Sequence, residues 1–260
     1  MKRVSINGFG RIGRIALRLL VDDPDIEIVA INDLSDALQL AYLFKYDSAH
    51  RTSGANVSYD KDGIYVNNKR IPIFNEKDPN NLPWGSLKID VVLECTGAFT
   101  SKEKVMAHIN AGANKVVISA PAKDDCKTIV YNVNDNTIDG TEEVISAASC
   151  TTNCLAPVLY VLQKKYKIKK GFMSTVHAMT NDQETLDIPH KKGIASRRGR
   201  AASQNIIPTS TGAAKAIGKV IPELDGKLMG SAYRVPVADG SLIDLVLELE
   251  NNTTVDEINK

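Results

Sequence analysis

One cysteine of the sequence has the surroundings of a catalytic nucleophile. Cys150 follows the apolar, strand-like run 144–148 and precedes a predicted helix from Leu155 to about Tyr166. At such a junction the sulfur faces the first free N–H groups of a helix, and the helix dipole favours the thiolate, which is the reactive form. Cys150 is therefore a candidate nucleophile, with a buried, inert cysteine as the alternative.

A histidine further along the chain is the candidate partner of that sulfur. His177 lies within the alternating, strand-like run 172–180. It could be a structural histidine of a strand, or it could be the base that takes the thiol proton. His50, His108 and His190 have no evident partner in the sequence and are expected at the surface or in loops.

The cysteines do not predict a metal site or a disulfide framework. Cys150 and Cys154 are four residues apart, but no second Cys/His pair at zinc spacing accompanies them. Four cysteines in 260 residues are too few for a disulfide-rich fold. We expect no metal and a reducing, cytoplasmic environment.

A glycine motif near the start of the sequence has the spacing and the context of a dinucleotide site. A short strand precedes it, a helix follows, and Asp33 ends the next strand. The first glycine permits a tight turn, the second lets a pyrophosphate approach, and the third lets helix and strand pack closely. Asp33 would accept bonds from the adenosine ribose and repel a 2′-phosphate, which indicates NAD rather than NADP; a glycine turn that merely packs is the alternative. The residues of the motif are Gly8, Phe9, Gly10, Arg11, Ile12 and Gly13.

The elements that must position these groups form two domains. In the first, strand-like runs at 90–97, 115–121 and 128–133 alternate with helices, and the stretch 54–74 is predicted to be an inserted antiparallel hairpin. Thr96, Gly97 and Ser119 fall at the carboxyl ends of strands, where open parallel sheets bind ligands, although they could simply end the strands.

The second half has a different pattern of elements. Alternating strands at 172–180, 231–237 and 241–249, with helices between them, predict a mixed or antiparallel sheet. The fold class is therefore α/β: a Rossmann-type, mostly parallel domain at 1–149, then an α+β catalytic domain at 150–260. The nucleophile is expected at the domain interface.

Composition excludes several classes of protein. The formal net charge is +1, with 32 basic and 31 acidic residues, so no strong attraction to nucleic acid is expected. No apolar run approaches the length of a membrane span.

The long non-periodic stretch 181–203 could be a solvated surface, an anion site or a subunit contact. Its basic residues are Lys191, Lys192, Arg197, Arg198 and Arg200.

Taken together, these motifs resemble the phosphorylating glyceraldehyde-3-phosphate dehydrogenase family. The resemblance runs from residues 6–14 through 148–154 to 234–237, and so covers essentially the whole sequence. The element Ser149-Cys150-Thr151-Thr152-Asn153 is highly specific, whereas the glycine motif alone would not be.

The resemblance implies a two-step reaction of glycolysis. Cys150 would attack the aldehyde of glyceraldehyde 3-phosphate, and His177 would take a proton as hydride leaves the thiohemiacetal for NAD. Inorganic phosphate would then attack the thioester and release 1,3-bisphosphoglycerate. The N–H of Cys150 and His177 would stabilise the oxyanion. A homotetramer is also implied, in which the stretch 181–203 reaches a neighbour's cofactor site.

The family's binding residues carry over by matching motif. The substrate phosphate would be held by Thr180, Asp182 and Arg234. The attacking phosphate would be held by Ser149, Thr151, Arg198, Thr211 and Gly212, although Arg197 remains an alternative to Arg198. Asn181 would face the nicotinamide, and Lys77 stands where the family commonly has Arg near the adenine.

Departures from the family pattern and two alternatives remain. Met179 stands where the family often has an aromatic residue. Residues 254–257 read as a capping box that opens a helix, so the chain is expected to stop inside an element, as a C-terminally truncated member of the family would. The alternatives are an erythrose-4-phosphate dehydrogenase, which ends in hydrolysis, and a non-catalytic nucleotide- or RNA-binding fragment.

Overall fold

The chain folds into two compact units. The structure, a computed structural model, describes residues 1–190, 193 and 195–260. One unit comprises Met1–Ile129 with Ile138–Ala148, and the other comprises Val130–Thr137 with Ser149–Lys260. Lys191 and Lys192 of the predicted basic stretch lie outside the described residues.

The first unit alternates strands with helices. Its helices are α1 (Arg11–Leu20), α2 (Ala37–Lys45) and α3 (Lys102–Asn110). Its strands are β1 (Lys2–Asn7), β2 (Ile26–Asn32), β3 (Tyr46–Asp47), β4 (Arg51–Thr52), β5 (Val57–Tyr59), β6 (Gly63–Val66), β7 (Lys69–Phe74), β8 (Val91–Glu94), β9 (Lys115–Ile118), β10 (Lys127–Thr128) and β11 (Val144–Ser146).

Nine of these strands form one sheet in the order β10-β11-β9-β8-β1-β2-β7-β6-β5. The pairs from β10 to β7 are parallel, and β5, β6 and β7 pair antiparallel. The predicted antiparallel insertion is thus confirmed, with a third strand added. Because parallel strands end at a common edge, β1, β2 and β8 bring Asn7, Asn32 and Glu94 to the same edge of the sheet.

One predicted strand, at 128–133, is wrong. Of the run 128–133, only Thr128 lies in a strand, and a turn follows it. Asn134 Oδ1 accepts a bond from the backbone N–H of Val130 at 2.8 Å, and the N–H of Val133 donates to Val130 O at 3.1 Å. Ile129, Val130 and Val133 are buried, whereas Tyr131 is exposed. The apolar pattern therefore indicated burial rather than a strand, and the bond to Asn134 stabilises the turn.

The second unit carries a separate four-stranded sheet. Its helices are α4 (Cys150–Tyr166), α5 (Ala213–Val220) and α6 (Val255–Ile258). Its strands are β12 (Ile168–Ala178), β13 (Ile207–Thr209), β14 (Leu228–Val235) and β15 (Leu242–Leu249), in the order β13-β14-β12-β15. β12 pairs parallel with β14, whereas the β13–β14 and β12–β15 pairs are antiparallel, so the predicted mixed sheet is confirmed. Within the described part of the chain, no helix has the length and apolar character that spanning a membrane requires.

Candidate active site

A sharp turn sets Cys150 at the start of its helix. Ala148 has φ 61°, the left-handed region that non-glycine residues rarely adopt, and it is 3% exposed. Ser149 caps α4, and its Oγ accepts a bond from the N–H of Thr152 at 3.0 Å. α4 therefore begins at Cys150 rather than at the predicted Leu155, and Cys150 occupies the first helical position.

The sulfur of Cys150, an exposed residue, contacts the imidazole of His177. Cys150 Sγ lies 3.2 Å from His177 Nε2. On the other side of the ring, Nδ1 lies 2.7 Å from the carbonyl oxygen of Ala178. A carbonyl only accepts, so Nδ1 carries a proton, and in the neutral ring Nε2 is left to accept the thiol proton. The arrangement suits proton transfer from sulfur to nitrogen.

This contact changes the acidity of both groups. The hydrogen bond with His177 is the largest cause that lowers the pKa of Cys150 to about 7, against the opposing effect of burial. The same hydrogen bond raises the pKa of His177, with a further contribution from the Ala178 carbonyl. The sequence suggested the helix dipole as the source of thiolate, and the structure adds the hydrogen bond with His177 as a further cause.

An arginine on the neighbouring strand stands beside the histidine. The parallel register of β12 and β14 pairs His177 with Arg234. Arg234 Nη1 donates to Ala178 O at 3.1 Å and to Thr180 Oγ1 at 2.6 Å. Thr180 in turn donates to Asp182, so three of the predicted substrate-site residues form one cluster with the general-base candidate.

A second arginine shares the carboxylate of that cluster. Arg198 donates to Asp182 Oδ2 at 2.5 Å, to Thr209 Oγ1 at 2.8 Å and to Ser210 O at 3.1 Å. Burial alone would raise the pKa of Asp182, but hydrogen bonds from Thr180 and Arg198 outweigh it and hold the pKa below its ordinary value. Asp182 is thus an anion that both arginines face, and Arg234 Nη2 lies 3.9 Å from it.

Arg197 and Arg198 line one cavity of about 370 Å³ together with Ser196, Thr209 and Ser210. Two guanidinium groups at one cavity favour an anionic ligand. Thr211 accepts a bond from the N–H of Ala213 at 3.2 Å, and Gly212 caps α5 at its N-terminus. Thr151 lies against Cys150 and lowers its pKa through hydrogen bonds.

The glycine motif of the first unit has the shape that a dinucleotide needs. Gly8 has φ 89°, and a Cβ on it would lie 2.6 Å from Thr96 N; a Cβ on Gly13 would lie 2.2 Å from Gly8 O. A Cβ on Gly10 would meet nothing within 4 Å, so the space beside the start of α1 is open. Gly10 is the N-cap of α1, and among the described residues no side chain accepts a capping hydrogen bond there. The free N–H groups at this helix start are therefore suited to phosphate.

Asp33 lies just after β2 and orients the motif. Its carboxylate accepts bonds from the N–H groups of Phe9 at 2.8 Å and Ser35 at 2.9 Å. A carboxylate has about four acceptor positions, so capacity remains for ribose hydroxyls. The other predicted cofactor residues of this unit lie at strand ends or in loops: Thr96 and Gly97 after β8, Ser119 after β9, and exposed Lys77 after β7.

The chain is similar to known proteins over its whole length. Residues 149–260 match the model of the glyceraldehyde 3-phosphate dehydrogenase C-terminal domain, and residues 2–102 match that of its NAD binding domain. Glyceraldehyde-3-phosphate dehydrogenase of Clostridium pasteurianum is 61% identical over 259 residues, which is 100% of this chain and 77% of the relative. The Geobacillus stearothermophilus enzyme of that name is 54% identical over 99% of this chain and 76% of the relative. The chain belongs to the glyceraldehyde-3-phosphate dehydrogenase family.

Membership of this family identifies NAD as the cofactor, and the residues present fit it. The open side of Gly10, the uncapped start of α1 and the acceptor capacity of Asp33 are the three features that NAD requires. Within the described residues, no group of three or more His, Cys, Asp or Glu side chains could hold a metal ion.

Several residues around these sites had no signal in the sequence. The Ala178 carbonyl, which contacts both His177 and Arg234, is a backbone atom that no motif reveals. His108 was expected at the surface or in a loop, and this is wrong, because it is 0% exposed between Trp84 and Glu94. His50 contacts Asp47, and His190 contacts the backbone oxygen of Asp182. Asn181, predicted on the nicotinamide side, is exposed in the loop after β12.

Proposed function

We propose that the chain catalyses the NAD-dependent, phosphorylating oxidation of glyceraldehyde 3-phosphate to 1,3-bisphosphoglycerate, a step of glycolysis, with Cys150 and His177 as catalytic residues. One observation carries the assignment of roles. The sulfur of Cys150, at the first position of a helix, lies 3.2 Å from an imidazole nitrogen that can accept its proton.

The oxidation begins at the sulfur. His177 takes the thiol proton as Cys150 attacks the aldehyde carbon, and it passes that proton to the carbonyl oxygen, which becomes the hydroxyl of a thiohemiacetal. His177 then takes the hydroxyl proton while a hydride leaves the same carbon, so a carbonyl reforms as a thioester. NAD, when bound, accepts the hydride. His177 can accept this proton at Nε2 because its Nδ1 is protonated and donates to the Ala178 carbonyl.

The second step is an acyl transfer. An oxygen of inorganic phosphate attacks the thioester carbon, the carbon–sulfur bond breaks, and Cys150 leaves as a thiolate. A pKa of about 7 makes the thiolate a better leaving group than that of an ordinary cysteine. The negative charge on the oxygen of each tetrahedral species is stabilised by the N–H of Cys150 and by His177.

We assign two phosphate subsites to the two arginines. Arg234, with Thr180 and Asp182, binds the substrate phosphate; Arg198, with Ser149, Thr151, Thr211 and Gly212, binds the attacking phosphate. The bonds from Arg234 to Thr180 and from Arg198 to Thr209 support rigid guanidinium groups, which suit phosphate recognition. In the cofactor site, Asp33 binds the adenosine ribose, Lys77 lies near the adenine, and Asn181 faces the nicotinamide.

The decisive measurement is the phosphate dependence of NADH formation. With glyceraldehyde 3-phosphate and NAD, we expect turnover only when inorganic phosphate is present, and none from Cys150→Ser. His177→Asn is expected to lower kcat by about 10²- to 10⁴-fold, the range of general-base catalysis. Steady turnover without phosphate, with erythrose 4-phosphate as the better substrate, would instead support the erythrose-4-phosphate dehydrogenase alternative.

We further propose that the domains are 1–149 for NAD binding and 150–260 for catalysis, and that the protein is a cytoplasmic homotetramer. One face of the second sheet supports self-association. On it, Phe172 pairs with Met229 on one side and Val246 on the other, and these side chains are 45%, 70% and 66% exposed. Monomeric soluble proteins rarely expose a contiguous apolar row of this kind.

A further inference from the structure

Four buried polar side chains of the first unit are joined by hydrogen bonds. Trp84 Nε1 donates to His108 Nδ1 at 2.9 Å, and His108 Nε2 lies 3.2 Å from Glu94 Oε2. Asn7 Nδ2 donates to the same oxygen at 2.5 Å. Each of the four is at most 1% exposed. Buried polar groups are costly unless donors and acceptors match, so the pairing here is informative.

The bonds continue across the sheet edge to a loop. Asn32 Nδ2 donates to Asn7 Oδ1 at 2.7 Å and to Glu76 O at 2.9 Å, and Asn32 Oδ1 accepts from the N–H of Glu76 at 2.9 Å. Asn7, Asn32 and Glu94 are the last residues of β1, β2 and β8. We call this set the buried polar network: Trp84, His108, Glu94, Asn7, Asn32 and the backbone of Glu76.

The direction of every bond in the network follows from two groups: the indole N–H of Trp84, which only donates, and the carboxylate of Glu94, which only accepts. An indole only donates, so His108 Nδ1 is unprotonated, and its Nε2–H donates to Glu94. The other oxygen of Glu94 accepts from the N–H of Thr96 at 2.8 Å and from the Thr96 hydroxyl. Glu94 therefore accepts four bonds, which as a carboxylate it can do completely.

Glu94 also fixes the orientation of both asparagines. Because a carboxylate only accepts, Asn7 must turn its NH₂ towards Glu94 and its oxygen towards Asn32. Asn32 must then give its NH₂ to Asn7 and keep its oxygen for the N–H of Glu76. The backbone of Glu76, which precedes Lys77, is thus held by a sequence of bonds that begins at Glu94.

We propose that Glu94 is a positioning residue for the cofactor, which acts by setting the donor direction of the buried polar network. Through Thr96 it holds the turn after β8, and through Asn7 and Asn32 it holds the loop of Glu76 and Lys77. Both segments belong to the NAD site of the proposed function, on which this inference rests. Buried at the sheet edge, Glu94 acts through other residues rather than as a ligand of the cofactor.

One substitution reverses the polarity with almost no change of shape. Glu94→Gln introduces an NH₂ group that faces either the donors of Asn7 and His108 or the N–H of Thr96. A flip of Asn7 would relieve the first conflict but would present its NH₂ to that of Asn32. If Asn32 flipped in turn, it would lose its two bonds to the backbone of Glu76. The mismatch of donors and acceptors would thus extend to the loop of Glu76 and Lys77.

A second substitution should repair the first. Asn7→Asp combined with Glu94→Gln moves the carboxylate one step along the network. There it accepts from the amide at position 94, from Asn32 and from His108, whose Nε2 is 3.3 Å from the nitrogen that the new oxygen replaces. The amide oxygen at position 94 still accepts from Thr96. The double variant thus restores the pairing with the same net charge.

The test measures binding of AMP, the adenosine half of the cofactor, and of NAD by calorimetry. We expect Glu94→Gln to weaken both by about tenfold or more, and the double variant to recover to within about threefold. Val105→Ala, a buried apolar change in the same core, is the matched control and should lower the melting temperature without changing either affinity. Trp84 is the one tryptophan of the sequence, so its emission should shift in Glu94→Gln and return in the double variant.

The outcomes separate this inference from the proposed function. Wild-type affinity for AMP in folded Glu94→Gln, or no recovery in the folded double variant, would overturn the inference alone. Failure of the unsubstituted chain to bind AMP and NAD would overturn the cofactor site as well. If Glu94→Gln does not fold, Asn32→Ala provides a second test, because it removes the bonds to Glu76 and to Asn7 but keeps those that Glu94 accepts from His108 and Thr96. It should weaken AMP binding by about tenfold, and unchanged AMP binding would refute the network.

Discussion

At the scale of single residues, the reactivity of Cys150 depends on one neighbour. Cys150 is an exposed residue, as is Cys154 four residues later, so residue exposure does not distinguish the two cysteines. What distinguishes them is the contact of Cys150 with His177, which lowers the pKa of the thiol to about 7. Selective chemistry at Cys150 therefore follows from ionisation rather than from exposure.

The pH profile of alkylation should reveal this contact. Below pH 7 the thiol of Cys150 is mostly protonated and slow to react with iodoacetamide, and above pH 7 its rate should reach a plateau. His177→Asn removes the hydrogen bond, so the midpoint should rise from about 7 towards the ordinary 9.0. At pH 7 the thiolate fraction would fall from about one half to about one hundredth.

Peptide mapping of the labelled sulfur provides the measurement. Cys154→Ser is the matched control and should leave both the rate and the midpoint unchanged. An unchanged midpoint in His177→Asn would show that the helix start alone, and not the imidazole, lowers the pKa.

At the scale of elements, the three glycines of residues 8–13 have unequal tasks. Gly8 and Gly13 are confined by neighbouring backbone, whereas Gly10 faces open space at the start of α1. Gly8 and Gly13 are therefore needed for the β1–α1 turn itself. Gly10 is needed only if a ligand approaches the helix start.

Two alanine substitutions should separate folding from binding. Gly13→Ala would place a Cβ 2.2 Å from Gly8 O, so we expect it to lower the free energy of unfolding by about 2 kcal/mol or more. Gly10→Ala has φ −68°, which alanine tolerates, and should leave stability within about 0.5 kcal/mol. It should nevertheless weaken the binding of NAD by about tenfold, because its methyl group occupies the space that the pyrophosphate needs.

Thermal melting and NAD titration of both variants check this prediction. Normal NAD affinity in Gly10→Ala would argue that the open space beside α1 is not where the dinucleotide binds.

The elements also show why part of the site could be predicted from the sequence and part could not. The β1–α1 turn, Asp33 and the junction before α4 are local patterns, in which a few consecutive residues carry the whole signal. The network of Trp84, His108 and Glu94 is formed by residues 14 and 24 positions apart, from a loop, a helix and a strand that only the tertiary fold brings together. A histidine in a polar helix then looks solvent-exposed, and nothing nearby in sequence corrects that.

At the scale of the whole molecule, the second sheet exposes an apolar row. Met229, Phe172 and Val246 lie side by side on β14, β12 and β15. The opposite face of β12 carries Met173 and Thr175, which are buried, and leads to His177. A contact on the exposed face would therefore rest directly on the strand that holds His177, the proposed general base.

Lysine in this row should prevent association. Met229→Lys with Val246→Lys brings charge into an apolar contact, so we expect smaller particles in sedimentation velocity at concentrations where the unsubstituted chain associates. Val161→Lys, at an exposed apolar position on α4, is the matched control and should not change the sedimentation coefficient. Equal association of the double variant would place the interface on another surface.

The register of β12 against β14 has a consequence for refolding. Side chains of a strand alternate between its faces, so a slip of one residue would turn the imidazole of His177 away from Cys150 while preserving the strand content. Circular dichroism would not distinguish such molecules from native ones, because it reports strand content, although they could not oxidise an aldehyde. Recovered turnover is thus the stricter measure of how many molecules have paired these two strands correctly.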